Sequence, residues 1–244
     1  MANNECSGPA LQLELIKYVK SLKYRKNTYR FIFIPETIGS ITYLSINNNL
    51  EYLKRKMLAG FNLSCVGDDL NYSIVESRYA NTLADKALKN ILRTKGRFVT
   101  YSFLESGSDE RQYNAPFVEL PVVGFNRTKY GMYKEYHTSA DNLDFISPNG
   151  LQGSYEVIVS LINAFEYNEK YKIRVLCEPQ LGKRGLYPTI SQKGSYDSVA
   201  AMMNFIKYCD GKNDLFDISD RINIPINRLI EIVEKLKNND LLEC

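Results

Sequence analysis

Residues 29–36 read YRFIFIPE, and this stretch decides the fold class that we predict. Residues 29–34 form a short, nearly continuous apolar run that is rich in aromatic and β-branched side chains, and Pro35 stops it. Such a run is typical of a strand that is covered on both faces, as in a parallel sheet. We therefore predict a buried strand over residues 29–34.

The segments around this stretch alternate between helix and strand patterns. A helix is predicted from about residue 9 to residue 24, with Ser7 as N-cap and Pro9 in its first turn. NYSIVESRY (71–79) alternates like an exposed edge strand or hairpin partner. Other strands are predicted in AGFNLSCVG (59–67), RFVTYSF (97–103) and VELPVVGF (118–125), and other helices in NLEYLKRKM (49–57) and NTLADKALKNIL (81–92). This order predicts an α/β fold in three layers, with a mostly parallel sheet flanked by helices.

The pattern becomes helical from about Ser195. Two predicted helices are followed by a third that Pro225 opens, which is the spacing of a helix-turn-helix or winged-helix module. We therefore predict two domains, residues 1–191 and residues 192–244. The second holds seven Lys or Arg and nine Asp or Glu, a net charge of −2. A DNA-reading helix is expected to be basic, so a packing or partner-binding module is favoured over a transcription regulator, and no DNA partner is expected.

Composition excludes several classes of protein. With 244 residues, 44% hydrophobic and 24% charged, the chain is neither disordered nor collagen-like. A net charge of +3 does not indicate a polyanionic partner. Five scattered cysteines without a CxxC pair indicate reduced thiols. No signal peptide or membrane span is recognisable, so we expect a cytoplasmic chain with no membrane partner.

Polar side chains follow several predicted strands. In sheets of this kind, binding and active sites lie at the carboxyl ends of the strands. They include Glu36, Asp68, Asp109 and Arg111, and a later loop holds His137, the only histidine. Carboxylates and an imidazole suit a divalent metal, with Zn²⁺ favoured when histidine contributes, and such a metal would activate water and polarise a carbonyl. Each feature also has a structural explanation: turns at GDD and SDE, a loop hydrogen bond from His137, or a helix cap at Glu36.

Five motifs, taken in their order along the chain, carry a family resemblance. They are ANNECSGP (2–9), IPETIGS (34–40), NLSCVGDD (62–69), GSDERQY (107–113) and YHTSADNLDFISP (136–148). Together they resemble the co-catalytic zinc aminopeptidase superfamily. The similarity is greatest to bacterial aminopeptidase-like proteins of polysaccharide-biosynthesis clusters that have a C-terminal winged helix, and it spans essentially the whole chain.

The resemblance implies an altered metal site. Asn4 stands where the family has an Asp that bridges two zinc ions, and Ser64 stands where a later Asp ligand is expected. A single Glu36 replaces the family's Glu-Glu pair, and His137 matches the terminal histidine ligand. The resemblance therefore implies at most one zinc. The residues that it assigns are His137, Glu36 and Asp68 as ligands, Glu36 also as general base, and Asn4, Glu5, Asp109, Arg111 and Tyr136 as substrate contacts.

Two functions follow as expectations. The first is a zinc-dependent aminopeptidase-like hydrolase acting on small peptides, inactive in this chain because its first metal site is incomplete. The alternative is a non-catalytic module that binds a peptide or amino sugar in polysaccharide biosynthesis. Family members carry additional N-terminal strands, so this chain resembles a C-terminal portion. An exposed sheet edge is then expected, which favours a homo-oligomer.

Overall fold

The structure is a computed structural model that describes residues 1–187 and 195–244, with the side chains of residues 195–197 outside the description. It divides into two compact units, Met1–Ile162 and Asn163–Cys244, called the first and second unit below. The predicted domain boundary between residues 191 and 192 lies outside the described residues.

The first unit alternates helices and strands after a π-helical turn at Ala2–Cys6. The elements are α1 (Ser7–Ser21), α2 (Ile38–Ser45), α3 (Asn49–Lys56), β1 (Gly60–Leu63), β2 (Ser73–Val75), α4 (Leu83–Thr94), β3 (Val99–Tyr101), α5 (Glu110–Tyr113), β4 (Val122–Asn126) and α6 (Pro148–Tyr167). The four strands form one sheet in the order β1-β4-β2-β3. The pairs β1·β4 and β2·β3 are parallel and β2·β4 is antiparallel, so the prediction of an α/β fold with a mostly parallel sheet is confirmed.

Helix α4 shows how local sequence sets the elements of this unit. The Thr82 hydroxyl accepts from the Asp85 amide while the Asp85 carboxylate accepts from the Thr82 amide, a capping box that satisfies backbone donors at the helix start. Asp85 also accepts from the Ser77 amide at 2.9 Å, just after β2. Leu88 and Ile91 on the inner face are fully buried. The cap and the apolar face together fix where α4 begins and which side meets the sheet.

The strand predicted at residues 29–34 was wrong, and the strand predicted within residues 71–79 forms as β2 but not at a sheet edge. Residues 29–34 belong to no strand, because an apolar pattern reports a preference for burial while a strand also needs a neighbour to pair with. The segment NYSIVESRY does not form an edge, since β2 lies between β4 and β3 with all three residues buried. Its polar residue Ser73 is buried because the hydroxyl donates to the Arg127 carbonyl at 3.0 Å.

Helix α6 is an element for which the sequence yielded no prediction. Gly150 and Gly153 near its start look like turn residues, but they allow close packing instead. A Cβ at Gly150 would lie 2.1 Å from the Gly67 carbonyl oxygen, so only glycine lets α6 approach the loop after β1. The helix therefore places its first turn directly against the loop that contains Asp68.

The second unit is helical with a small sheet. Its elements are β5 (Lys172–Ile173), α7 (Ser195–Ile206), α8 (Leu215–Ile222), α9 (Ile226–Lys237) and β6 (Leu242–Glu243), and the last five residues of α6 also belong to it. β5 pairs antiparallel with β6, and Lys172 forms a further bridge to Asp210. A capping box between Asp214 and Asp217 starts α8. Within the described ranges of the whole chain, no helix is long and apolar enough to cross a membrane.

Candidate functional site

The N-terminal turn is held by two buried carboxylates of the first unit. Asp141 accepts from the backbone amide of Asn3 at 2.6 Å and from that of Asn4 at 3.1 Å. The buried Asn3 side chain donates to Asp68 at 3.1 Å and accepts from the Gly67 amide at 2.8 Å. The turn is thereby fixed against the loop after β1, and it carries Asn4 and Glu5 to that end of the sheet.

Asp68 is fully buried and its carboxylate is occupied by hydrogen bonds. Besides Asn3, its oxygens accept from the Leu70 amide at 3.0 Å, the Thr128 amide at 3.0 Å and the Thr128 hydroxyl at 2.7 Å. A carboxylate has about four acceptor positions, and four donors fill them. Asp68 therefore joins three loops rather than presenting a free oxygen to a ligand.

Glu36 lies with Asp109 and Arg111 in one exposed cluster. The Arg111 guanidinium donates to Glu36 at 3.2 Å and to the Thr37 hydroxyl at 2.9 Å. The Thr37 amide in turn donates to Asp109 at 2.8 Å. The structure thus brings together the residues after segment 29–34 and the GSDERQY motif.

Tyr136 and His137 form an aromatic group near these loops. Their rings are stacked with centroids 3.9 Å apart, and Tyr133 packs edge-on against Tyr136 at 5.6 Å. Burial raises the pKa of Tyr136, and its electrostatic interactions with Cys65, Glu36 and Glu5 raise it further. The Tyr136 hydroxyl is therefore within electrostatic reach of both glutamates, and the His137 side chain is exposed beside it.

Three residues of this region hold backbone conformations that are unfavourable for their side chains. Thr37, Cys65 and His137 have φ angles of 63°, 53° and 56°, and positive φ is a genuine outlier for a β-branched residue such as Thr37. Such strain clusters at functional sites, where surrounding contacts hold it in place. Thr37 follows segment 29–34, Cys65 follows β1, and His137 lies in the loop before α6. Their strained conformations support a functional role for this end of the sheet.

Cys65 lies at the centre of the region but is not poised to react. Its thiol is buried, 3.5 Å from both the Ser64 and Tyr133 hydroxyls, and it donates to Asn4 at 3.5 Å. Burial raises its pKa to about 11, so the thiol is neutral at physiological pH. Because the thiolate is both the nucleophile and the metal ligand of cysteine, Cys65 has a packing role here.

The described residues do not fit a zinc site. Throughout residues 1–187 and 195–244, no three His, Cys, Asp or Glu side chains are grouped so that they could hold a metal ion. Asp68 is saturated by donors, Glu36 is paired with Arg111, and Asn4 offers an amide in place of a carboxylate. The ligand roles of Glu36, Asp68 and His137, and the substrate contacts of Asn4, Glu5, Asp109, Arg111 and Tyr136, stay predictions.

Sequence reasoning missed Asp141 and Glu110, two carboxylates that shape the site. Glu110 is fully buried and accepts from the Gly107 amide at 3.1 Å, the Asn62 side chain at 2.8 Å and the Tyr130 hydroxyl at 2.5 Å. Both lie inside motifs that carried the resemblance. Donors from distant segments, among them Asn3, Asn62 and Tyr130, hydrogen-bond to them, so nothing in the local pattern separates these two residues from exposed acids.

Two family matches divide the chain between them. Residues 1–168 match the family described as domain of unknown function (DUF4910). Residues 169–244 match a winged helix-turn-helix family. The prediction of a small C-terminal winged-helix module is therefore confirmed.

Similar proteins agree with both matches. A Clostridium acetobutylicum protein, described as a polysaccharide biosynthesis protein with an aminopeptidase-like domain, is 37% identical over 247 residues, which cover 100% of this chain and 56% of the relative. A crystal structure described as a peptidase from the same organism is 35% identical with a TM-score of 0.88, covering 100% of this chain and 54% of that one. This chain spans about half the length of these relatives.

A more distant structure shows the shared fold. A zinc aminopeptidase from Bacillus subtilis is 18% identical with a TM-score of 0.53, covering 66% of this chain and 41% of that one. The predicted resemblance to aminopeptidases and to polysaccharide-biosynthesis proteins with a winged helix is thus confirmed. The chain belongs to the family described as domain of unknown function (DUF4910), as an aminopeptidase-like domain followed by a winged helix-turn-helix.

Proposed function

We propose that the first unit binds a small ligand with a primary amine, an amino sugar, at the loops around Tyr136, and that residues 1–244 alone do not hydrolyse peptides. The observation that carries this proposal is the position of Tyr136, which two glutamates influence and against which the exposed His137 stacks. The polysaccharide-biosynthesis description of the Clostridium relative supports an amino sugar over a peptide.

The charges of the site favour an ammonium group. Glu5 and Glu36 both place negative potential at the Tyr136 hydroxyl, and Glu36 remains partly exposed although Arg111 pairs with it. An ammonium held by a carboxylate gains a charge-assisted hydrogen bond, and an aromatic face adds cation–π attraction. The stacked rings of Tyr136 and His137 supply an aromatic wall beside those carboxylates, the usual combination in small-ligand sites.

The donor set argues against metal-assisted hydrolysis. A catalytic zinc needs three protein ligands and an open position for water. Asp68 has no acceptor position left, and the Asn4 side chain is tied to Glu5 at 2.8 Å and to Cys65. Glu36 is also paired with Arg111 at 3.2 Å, so its carboxylate would have to leave that ion pair to bind a metal or to contact a water molecule.

The second candidate is a zinc-dependent aminopeptidase that holds one zinc through Glu36 and His137. The fold shared with the Bacillus subtilis enzyme favours it, although an 18% identity supports the fold alone. In this alternative Glu36 would exchange Arg111 for the metal.

Calorimetric titration of the purified chain with glucosamine, glucose and leucinamide tests the proposal. We expect glucosamine to bind and glucose to bind at least about tenfold more weakly, since a lost charge-assisted contact is worth about 1.5–3 kcal/mol. Glu36→Gln should lower the affinity for glucosamine by a similar factor. Glu51→Gln, which alters an exposed glutamate on α3, should leave that affinity unchanged. Equal binding of glucose and glucosamine would refute the amine-binding site. Preferred binding of leucinamide would show that the ligand is a peptide rather than an amino sugar.

A further inference from the structure

The stretch NRTKY (126–130), at the end of β4, is buried throughout and contains two cations. A buried cation is costly unless a carboxylate or another acceptor pairs with it. Arg127 has such a partner, because the Asp69 carboxylate lies 3.6 Å from its guanidinium, which also stacks over the Tyr72 ring. No carboxylate of the described residues pairs with Lys129 in this way, so a positive charge is left uncompensated there.

The contacts of Lys129 do not use the full capacity of its ammonium group. Lys129 is 8% exposed, and its Nζ atom donates one long hydrogen bond of 3.4 Å, to the carbonyl of the adjacent Tyr130. An ammonium has three donors, and the described ranges supply no second acceptor. Lys129 therefore combines burial, a charge without an ion pair, and unused donors.

The buried carboxylate of Glu110 does not compensate this charge. Glu110 contacts the hydroxyl of Tyr130, the residue whose ring face the Lys129 ammonium approaches. The acceptor positions of a carboxylate number about four, and donors of the first unit fill those of Glu110. These donors are the amides of Gly107 and Ser108, the Tyr130 hydroxyl and the Asn62 side chain.

Lys129 lies in the same aromatic group as the proposed ligand site. Its Nζ atom is 4.2 Å from the centre of the Tyr130 ring and 5.1 Å from that of the Tyr101 ring. Tyr130 belongs to a buried cluster that contains Cys65. Tyr101 and Tyr136 both pack against that cluster. The ammonium and the Tyr136 ring are therefore arranged around one core cluster of the first unit.

The GSDERQY motif connects the surroundings of Lys129 with Glu36. Its first residue, Gly107, lies so close to the Tyr130 ring that a Cβ there would be 2.9 Å from a ring carbon. Gly107 is exposed, so the motif reaches the surface beside the ring that the ammonium contacts. The same motif carries Arg111, which pairs with Glu36. One short loop thus borders both the cation and the glutamate.

We propose that the ligand of the first unit is an anionic amino sugar, whose phosphate or carboxylate group pairs with the Lys129 ammonium. This inference rests on the proposed function, in which Glu36 and Glu5 attract the amine of the same ligand. An oxyanion at Lys129 gains a charge-assisted hydrogen bond and removes the cost of an unpaired buried charge. The two ends of the site then recognise opposite charges on one small molecule.

Cation–π packing alone does not account for a lysine at this position. The ring faces of Tyr130 and Tyr101 attract an ammonium, but they do not replace the strong acceptors that it had in water. A methionine would fill a similar volume between the two rings without burying a charge. A residue that opposes stability in this way is expected at a functional site.

Calorimetric titration with glucose, glucose 6-phosphate and glucuronate tests the anion site. We expect at least one of the two anions to bind at least about tenfold more tightly than glucose, since a charge-assisted contact is gained. Lys129→Met and Lys129→Gln both remove the charge and should abolish this gain. Lys134→Met is the matched control, because Lys134 lies in the same loop with its side chain 91% exposed, and it should retain the gain.

The outcomes separate this inference from the proposed function. None of the three probes carries an amine, so the anion gain is measurable even where glucosamine binds no better than glucose. Equal binding of glucose and both anions, or a gain that the two Lys129 variants retain, would overturn the anion site. A gain for glucose 6-phosphate identifies a phosphate group, and a gain for glucuronate identifies a carboxylate.

Glucosamine 1-phosphate and glucosamine 6-phosphate test whether one ligand carries both charges. The better of the two should bind at least about tenfold more tightly than glucosamine, and Lys129→Met should remove the difference. Two phosphorylated sugars that bind no more tightly than glucosamine would overturn the assignment of an anionic amino sugar.

Thermal unfolding without ligand distinguishes a binding role of Lys129 from a structural one. Lys129→Met should unfold at or above the temperature of the parent chain, because it removes an unpaired buried charge. Added glucose 6-phosphate or glucuronate should raise the unfolding temperature of the parent chain and of Lys134→Met only. A lower unfolding temperature of Lys129→Met, together with unchanged anion binding, would show a structural lysine and overturn the proposal.

Discussion

At the scale of single residues, the first question is whether Asp68 is a metal ligand or a structural carboxylate. The Asp68→Asn variant would turn one acceptor oxygen into a donor that faces the amide of Leu70 or Thr128. We expect a loss of about 2–4 kcal/mol in the free energy of unfolding, because a buried donor is left unsatisfied. Chemical denaturation measures this loss, with the exposed Asp144→Asn as control. A stability equal to that of the parent chain would mean that Asp68 is free for another role.

Cys65 provides a prediction that depends on pH. Its pKa is raised by burial from an ordinary value of 9.0 to about 11, so folding favours the neutral thiol. This contribution is fully present below pH 9 and is lost as the pH rises toward 11, because the unfolded chain then releases the proton first. At pH 10.5 the parent chain should have lost about 2 kcal/mol more stability, relative to pH 8, than Cys65→Ser. Identical pH profiles would contradict the buried, neutral thiol.

At the scale of elements, α6 depends on close contact at Gly150. An alanine Cβ there would lie 2.1 Å from the Gly67 carbonyl oxygen and 2.6 Å from that of Asp68, and backbone atoms cannot move aside cheaply. We expect Gly150→Ala to lower the free energy of unfolding by about 2–4 kcal/mol. Gly182→Ala, whose Cβ would meet Tyr187 at an ordinary 3.4 Å, should change stability by less than about 0.5 kcal/mol. A thermal melt compares the two variants, and equal melting temperatures would refute the close packing.

The elements also show what the sequence could predict. Helix α4 was predictable because Thr82, Asp85 and the buried leucines are local signals within a few turns. The internal position of β2 in the sheet was not predictable. Ser73 suggests an exposed face, and only its hydrogen bond to the Arg127 carbonyl explains why it is buried. The same holds for the site: motifs predicted that Glu36, Asp109 and Arg111 belong together, while the donors that saturate Asp68 come from Asn3 and Thr128, far away in sequence.

At the scale of the whole molecule, we propose that the winged-helix unit does not bind DNA tightly. Residues 163–244 contain twelve Lys or Arg and twelve Asp or Glu, so their net charge is zero. Two residues of α9 contact other parts of the unit. Glu234 accepts a hydrogen bond from the Tyr167 hydroxyl, and the Lys237 ammonium lies 5.0 Å from the centre of the Tyr171 ring. We expect no mobility shift of random duplex below about 10 µM chain at low salt, because phosphate contacts supply most nonspecific affinity. Sub-micromolar binding that is lost on deleting residues 195–244 would contradict this expectation.

The central claim is that the aminopeptidase-like unit binds without metal-dependent hydrolysis, and one assay tests it most directly. Leucine p-nitroanilide is incubated with the purified chain and added Zn²⁺, and release of nitroaniline is followed. Because Asp68 is saturated by donors and Glu36 is paired with Arg111, we predict no turnover above that of buffer with zinc. Zinc-dependent turnover that both Glu36→Gln and His137→Ala abolish, while Glu51→Gln retains it, would contradict the account.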